Sequence, residues 1–553
     1  MDTNAIVHVN GRYRKPDCDL LDSTHVLIRI KTGKDIRRVD LVYNDPYIRL
    51  NTDNGLYWPF NTIEMNKTGD TFTNHFFSAV IPCELHRLKY YFLIYDDHDD
   101  CLQYSESGFT RGYRHDDLAM FFIPYITKSN IFSPPTWIQN VVWYQIMPTR
   151  FNRNLSGIID KIDYLKGLGF TGLYLNPIYY AKSYHKYDVI DYTIVDPDLG
   201  TEEDFKRLCK TAHEHGMYIM LDISFTHCSD HNEMFIDVIS KGDKSRYFPM
   251  FKVNSGKDGL EYECFGMIKS MPKFETESFQ TITYFANKVV KKWMGLGVDA
   301  WRLDVANEIS DSMLEEIKHV IHNEKKDTYI VGEIWHNATE WISNDGLDGV
   351  TNYAVSRAIL TFVCDPQHYI FQYRSAIDEL IHSYTLKQLK SSMPLLDSHD
   401  TPRLRTICND DKDKVKLALL LLLTFFGTPS IYYGTERFMA GGGDPDNRRP
   451  TNWDDKSEDC QDIQDMCRKF IQIRKEHPVI ANEGTYEWID HSELLIIQRR
   501  NDRECLFIVI NSKEYDINTV LPMDDEFINL IDGCQIQKHV FVRRLGFMLL
   551  YPT

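Results

Sequence analysis

Arg302 and Asp304 stand two residues apart at the end of a short apolar run, Gly297-Val298-Asp299-Ala300-Trp301-Arg302-Leu303-Asp304. In a β-strand, residues two apart point to the same face. The guanidinium beside the carboxylate then holds it ionised, and an ionised carboxylate at a strand tip can act as a nucleophile. Taken alone, the same run also reads as a strand closed by a structural ion pair. Three other segments carry comparable groups: Leu221-Asp222-Ile223-Ser224-Phe225-Thr226-His227, Gly332-Glu333-Ile334-Trp335-His336 and Ser398-His399-Asp400. If their tips converge, Asp304, Glu333 and Asp400 meet, with His227, His399 and Arg302 around them. Three carboxylates among imidazoles form either an acid/base site or a metal site. Asp222 reads as a brace for its own strand tip.

The elements that must position these residues are alternating strands and helices from about residue 139 onward. Strands are expected at 141–147, 172–176, 218–223, 300–304, 329–333, 349–353, 393–397 and 429–434. A helix is expected between the Thr201 cap and the Gly216 stop. Eight such units predict a (β/α)8 TIM barrel over 139–481. The interval 228–285 is too long for a loop and shows no strong helical period, so it reads as a small excursion after the third strand. Residues 1–125 alternate aromatic and β-branched runs with turns, which predicts an N-terminal β-sandwich. Residues 126–138 contain Pro134-Pro135 and read as a linker. Residues 482–553 predict a C-terminal β-sandwich.

Bulk properties narrow the partners. The 553 residues carry 62 Lys+Arg against 80 Asp+Glu, a net charge of -18. That argues against nucleic acid or an anionic membrane surface as a partner. The longest apolar stretch, Leu417 to Phe426, is about 10 residues and too short to span a bilayer. The N-terminus lacks an export pattern, so a cytoplasmic location is expected. The 12 cysteines include no C-x-x-C pair, and reduced thiols are expected. His213-Glu214-His215 reads as a solvated helix end rather than a metal site.

The ordered segments resemble the signature segments of the α-amylase superfamily of retaining glycoside hydrolases. The resemblance is to its cyclomaltodextrinase, maltogenic amylase and neopullulanase branch. It rests on Trp301-Arg302-Leu303-Asp304-Val305-Ala306-Asn307-Glu308, Gly332-Glu333-Ile334-Trp335-His336 and Ser398-His399-Asp400-Thr401-Pro402-Arg403. Trp143-Tyr144-Gln145-Ile146, His185-Lys186-Tyr187-Asp188, Met271-Pro272-Lys273-Phe274, Gly427–Gly434 and Asp444–Arg448 agree with it. The resemblance implies Asp304 as nucleophile, Glu333 as acid/base and Asp400 as stabiliser of the oxocarbenium-like state. It further implies that His227 and His399 bond sugar hydroxyls and that Arg302 supports Asp304. Tyr187 would stack on the sugar ring, and Trp335 would present an apolar face on the leaving-group side. Asp444 and Arg448 would line the deep end. The expected substrates are cyclodextrins and short maltooligosaccharides joined by α-1,4 bonds, with transglycosylation. A homodimer is expected, in which a partner's N-terminal domain covers the barrel mouth.

Neopullulanase or maltogenic amylase activity on pullulan or starch is the alternative within this branch. A non-catalytic carbohydrate-binding protein on the same fold is the alternative outside it, and such proteins lose a catalytic carboxylate. Thr226 stands where many relatives carry a calcium-ligating Asn, and threonine is a poor replacement. No cofactor and no structural calcium are therefore expected. Glu275 stands where Asn is common, adding negative charge on the acceptor side. Asn447 replaces a frequent Cys and is expected to matter little.

Overall fold

The structure is a computed structural model that describes every residue except 11–15, 54, 112–119, 257–258, 366, 368 and 524–525. It divides into two compact units. One comprises residues 1–134, 342–344 and 368–389, and the other 135–341, 345–367 and 390–553.

The first unit is a β-sandwich. One sheet orders Cys18–Leu20, His25–Gly33, Asn74–Pro82 and Asn66–Asp70. The other orders Gly108–Thr110, Cys101–Ser105, Leu88–Asp96, Ile36–Asn44 and Asn61–Glu64. Alternating inward residues, among them Ile28, Val39, Leu41, Phe77, Ile81 and Phe92, fill the space between the sheets, as the period-2 pattern requires. The helix Ile370–Ser383 belongs to this unit, although in the chain it follows the sixth barrel strand. His382 on this helix stacks on Phe76 at 4.2 Å.

The second unit carries the barrel. Its strands are β1 (Trp143–Ile146), β2 (Gly172–Leu175), β3 (Tyr218–Ser224), β4 (Ala300–Asp304), β5 (Tyr329–Gly332), β6 (Gly349–Asn352), β7 (Met393–Pro394) and β8 (Ser430–Tyr432). All pairs are parallel, and hydrogen bonding orders the strands 7-6-5-4-3-2-1-8. Beyond the ladder, the Thr428 N–H donates to the Ser392 carbonyl at 2.9 Å, just before β8 and β7. That bond joins the two ends of the sheet. Each strand matches an expected one to within a few residues, and β4 matches at both ends. The strands are buried on both faces, which explains their apolar rather than alternating composition. At Gly349 a Cβ would collide with the Ser391 carbonyl. Only glycine lets β6 approach the chain entering β7 so closely.

The expected helix is α1 (Glu202–Glu214), opened by a Thr201/Asp204 capping box that contributes about 1 kcal/mol. Its C-terminal end is not simply solvated. His213 Nε2 lies 2.7 Å from Asp299 Oδ2, and that carboxylate also accepts from the Ile219 N–H and Lys325. Later helices used below are α2 (Tyr353–Cys364) and α3 (Lys412–Leu423). Helix α3 is buried nearly all round, so its ten-residue apolar stretch is core. No helix among the described residues is long and apolar enough to cross a membrane.

The excursion after β3 is more ordered and shorter than the sequence suggests. It contains a helix, Glu233–Lys241, and a hairpin, Val253–Gly256 with Gly259–Tyr262. Its expected last residues belong instead to the helix opening at Phe279. The period is blurred in the sequence because Ile236 and Ile239 are apolar yet exposed, opposite the buried Met234, Phe235 and Val238. The C-terminal part forms a sheet of Glu487–Ile489, Leu495–Arg500, Cys505–Ile510, Phe547–Pro552, Phe527–Asn529 and Gln535–Ile536. Ile517–Val520 and His539–Val542 pair separately, and both sheets contribute to one core. Arg499 and Arg474 are buried beside the end of α3. They donate to the carbonyls of residues 423, 424, 425, 427, 480, 481 and 485. Neither pairs with a carboxylate among the described residues, and burial lowers both guanidinium pKa values to about 9.

Candidate active site

Arg302 lies at the centre of the strand tips and is 1% exposed. Its Nη1 donates to Asp304 Oδ1 at 2.8 Å, and to Asp222 Oδ1 at 2.8 Å and Oδ2 at 3.1 Å. Its Nη2 lies 2.9 Å from Glu333 Oε2. One cation therefore serves three carboxylates from three strands. Register explains the meeting: Asp222 on β3 pairs with Arg302 on β4, and Leu303 pairs with Gly332, one residue before Glu333.

The expectation that Arg302 simply holds Asp304 ionised needs correction. Burial pushes the Asp304 carboxyl well above its ordinary value. Arg302 opposes that shift, while Glu333, Asp222 and Asp400 reinforce it. Arg302 is thus shared among Asp222, Asp304 and Glu333, and burial with the neighbouring carboxylates outweighs its pull on the Asp304 carboxyl. Asp304 Oδ1 is engaged by Arg302. His227 Nε2 lies 4.0 Å from Asp304 Oδ2.

Glu333 is held by two donors besides Arg302. The Val305 N–H reaches Oε2 at 3.2 Å, and the Trp335 indole N–H reaches Oε1 at 3.0 Å. Val305 adopts the left-handed region, φ 47° and ψ 48°, which is strained for a β-branched residue. That turn directly after Asp304 aims the donor at Glu333. Trp335 stacks flat on Tyr353, at 3.8 Å and 8°, and is 48% exposed. One indole face is thus taken and the other is open.

Asp400 is the most open of the three carboxylates, with 31% side-chain exposure. Its Oδ2 lies 3.1 Å from His399 Nε2, and its Oδ1 accepts from Arg448 Nη2 at 3.3 Å. Burial raises its pKa, and Arg302 and Arg448 oppose the rise. His399 is buried. Gln145 Nε2 lies 2.9 Å from its Nδ1, so the ring proton sits on Nε2. Burial pulls His399 well below its ordinary pKa and His227 down to about 3, so both rings are neutral. The Tyr187 hydroxyl lies 2.7 Å from both Asp222 Oδ2 and His399 Nε2. The Tyr187 ring stacks on His399 at 5.4 Å and 7°.

At the rim, Arg448 Nη1 pairs with Asp444 Oδ1 at 3.2 Å, and Tyr184 donates to the same oxygen at 2.8 Å. Arg448 Nε also donates to the His399 carbonyl at 2.8 Å. The structure therefore brings all ten sequence-predicted site residues together. It adds three that sequence reasoning missed or undervalued. Asp222, fully buried, is bound by Arg302, Tyr187 and Tyr174. Gln145 and Asn176 bond each other and His399. The available signal was a polar residue at the carboxyl tip of an otherwise apolar strand.

Asn447 also corrects its expectation. It is fully buried and donates to the His399 and Thr401 carbonyls at 2.8 Å each, pinning the segment that carries Asp400. Glu275 is half-buried and accepts from the Glu277 N–H at 3.3 Å. The donors near Thr226 do not fit the calcium site that the family implies. Its hydroxyl sits 3.0 Å from His227 Nδ1 and 3.3 Å from Ser224 Oγ.

The family model for the α-amylase catalytic domain matches residues 145–477, and that for the α-amylase N-terminal Ig-like domain matches residues 1–127. A maltogenic α-amylase of Bacillus acidopullulyticus is 35% identical, covering 90% of each chain. A cyclomaltodextrinase of Geobacillus thermopakistaniensis is 34% identical, covering 93% of this chain and 92% of its own. A solved cyclomaltodextrinase structure superposes over 100% of both chains with a TM-score of 0.92 at 28% identity. With its shared Arg302, its three strand-tip carboxyls and its flanking sandwiches, the chain belongs to the α-amylase family and is a cyclomaltodextrinase-like hydrolase of α-glucans.

Proposed function

We propose that this enzyme cleaves α-1,4-glucosidic bonds of cyclodextrins and short maltooligosaccharides through a covalent glycosyl-enzyme intermediate. The observation that carries the reading is the pair of carboxyls on one guanidinium, Asp304 on Nη1 and Glu333 on Nη2. Retention requires two carboxyls about 5–5.5 Å apart, whereas inversion needs room for a water between them. Two carboxyls bound to one planar cation suit the closer arrangement.

In this reading Glu333 gives its proton to the glycosidic oxygen as Asp304 Oδ2 attacks the anomeric carbon. The carbon–oxygen bond breaks and a glycosyl ester forms. Glu333 then takes a proton from a water whose oxygen bonds to the anomeric carbon, the ester bond to Asp304 breaks, and the sugar leaves with the carboxylate restored. A second sugar's hydroxyl in place of water gives transglycosylation. Asp400 stabilises the positive charge on the ring. Neutral His227 and His399 bond hydroxyls, Tyr187 stacks on the sugar ring, and Trp335 offers its open face to the leaving group. Asp444 and Arg448, paired at the rim rather than at the deep end expected from the sequence, meet the outer part of the bound sugar. No step uses a metal, and chelation is expected to leave both rate and melting temperature unchanged. The working compartment is the cytoplasm, and the assembly is a homodimer.

The test is proton NMR of the first-formed product from β-cyclodextrin. An α-anomeric maltooligosaccharide is expected. A β-anomer, or no consumption of the ring, overturns the reading. Maltogenic-amylase activity on starch is the second reading, favoured by the 35% identical relative of that name.

A further inference from the structure

We propose that Cys364 and Cys408 form an oxidation site, a dithiol that closes to a disulfide when the protein meets a peroxide. The two come from different elements, 44 residues apart in the chain. Cys364 is the last residue of α2, and Cys408 caps the short helix Leu404–Ile407 that follows the Asp400 segment. Their sulfurs lie 3.7 Å apart, so a bond requires only a side-chain adjustment. Their exposure differs usefully. Cys364 is half-buried and reachable, while Cys408 is fully buried behind it. That is the arrangement of an attacking and a resolving thiol.

The local charges agree. The hydrogen bond with Cys408 lowers the Cys364 pKa. Burial opposes that shift, Lys414 assists it and Asp411 opposes it. The same bond, with burial, raises Cys408. The reachable sulfur is therefore the more readily ionised, and the thiolate is the reactive form.

The chemistry balances. The Cys364 thiolate attacks one peroxide oxygen, the O–O bond breaks, and hydroxide leaves to give a sulfenic acid. The Cys408 sulfur attacks the sulfenic sulfur, the S–S bond forms, and a second hydroxide leaves. With the two thiol protons, both hydroxides become water. The sulfurs lose two electrons and the peroxide gains them. The new bond closes a covalent loop around β7 and Asp400, restricting the unfolded chain.

The test uses the full-length protein treated with hydrogen peroxide. Remaining thiols are alkylated, the protein is digested without reductant, and the peptides are analysed by mass spectrometry. The expected product is a cross-linked peptide pair containing Cys364 and Cys408, lighter by two hydrogen atoms and released by dithiothreitol. The oxidised protein should melt several degrees higher than the reduced protein. Cys364→Ser should abolish the cross-link and the shift while keeping basal activity. Two results overturn the proposal: alkylation of both cysteines after treatment, or accumulation of Cys364 as sulfinic acid beside a free Cys408.

Discussion

At the scale of single residues, the site is governed by a shortage of positive charge. Arg302 faces Asp222, Asp304 and Glu333, and Asp400 stands close by. A nucleophile must be ionised, and burial raises the Asp304 pKa. Activity therefore rises with pH through a value above the ordinary aspartate pKa of about 4. The pH profile of kcat/KM should place its acid limb there. Arg302→Met removes the group that opposes the rise, so the limb should move to higher pH as kcat falls. A limb unmoved by that substitution contradicts the electrostatic account. Asp304→Asn should abolish turnover by orders of magnitude while sugar binding, read by calorimetry, persists. Unchanged turnover would sink the assignment of Asp304 as nucleophile. Asn447→Ala leaves the His399 and Thr401 carbonyls without their donor, and should cost about 1–3 kcal/mol in denaturant titration. Asp304 was legible because it ends β4 and Glu333 because it directly follows β5, whereas Asp400 lies beyond the end of β7 and was legible from its neighbours Ser398 and His399. Asn447 was not, because its role depends on which carbonyls the folded chain brings to it.

At the scale of elements, the barrel strands were legible because buried parallel strands read as short apolar runs bounded by turns. The (β/α)8 closure followed from their number. The helix Glu233–Lys241 was not legible, since the exposed Ile236 and Ile239 mask the buried stripe of Met234, Phe235 and Val238. Nor did sequence order show that Ile370–Ser383 packs with the N-terminal sandwich. That helix and its sheet carry a consequence for pH. His8 and His382 are buried, with pKa values lowered to about 4 and about 3 respectively. Below the unfolded histidine pKa of about 6.5 the unfolded chain binds protons that the folded one does not. Stability is therefore lost as pH falls from about 6.5 toward those values, by up to about 1.4 kcal/mol per pH unit for each histidine. Raised carboxyls such as Asp397 act in the opposite sense, because the folded state holds their protons more tightly. The His382→Gln variant isolates the histidine contribution. Its melting temperature should fall less steeply than wild type between pH 6.5 and 5, and an equal slope would refute the assignment.

At the scale of the whole molecule, the buried carboxyl cluster belongs to the unit that carries the barrel and the C-terminal sheets, and the N-terminal sandwich forms a unit of its own. The proposed lid comes from a second copy. Light scattering should therefore give about twice the chain mass of 64.9 kDa, and a monomer at working concentration would remove the lid. The lid is what separates small and cyclic substrates from polymeric starch. The most direct measurement is the initial rate on β-cyclodextrin against soluble starch at equal mass concentration, with products resolved. The account predicts a rate strongly favouring the cyclodextrin, with maltose and glucose released. Faster cleavage of starch would contradict it and would mean an open cleft.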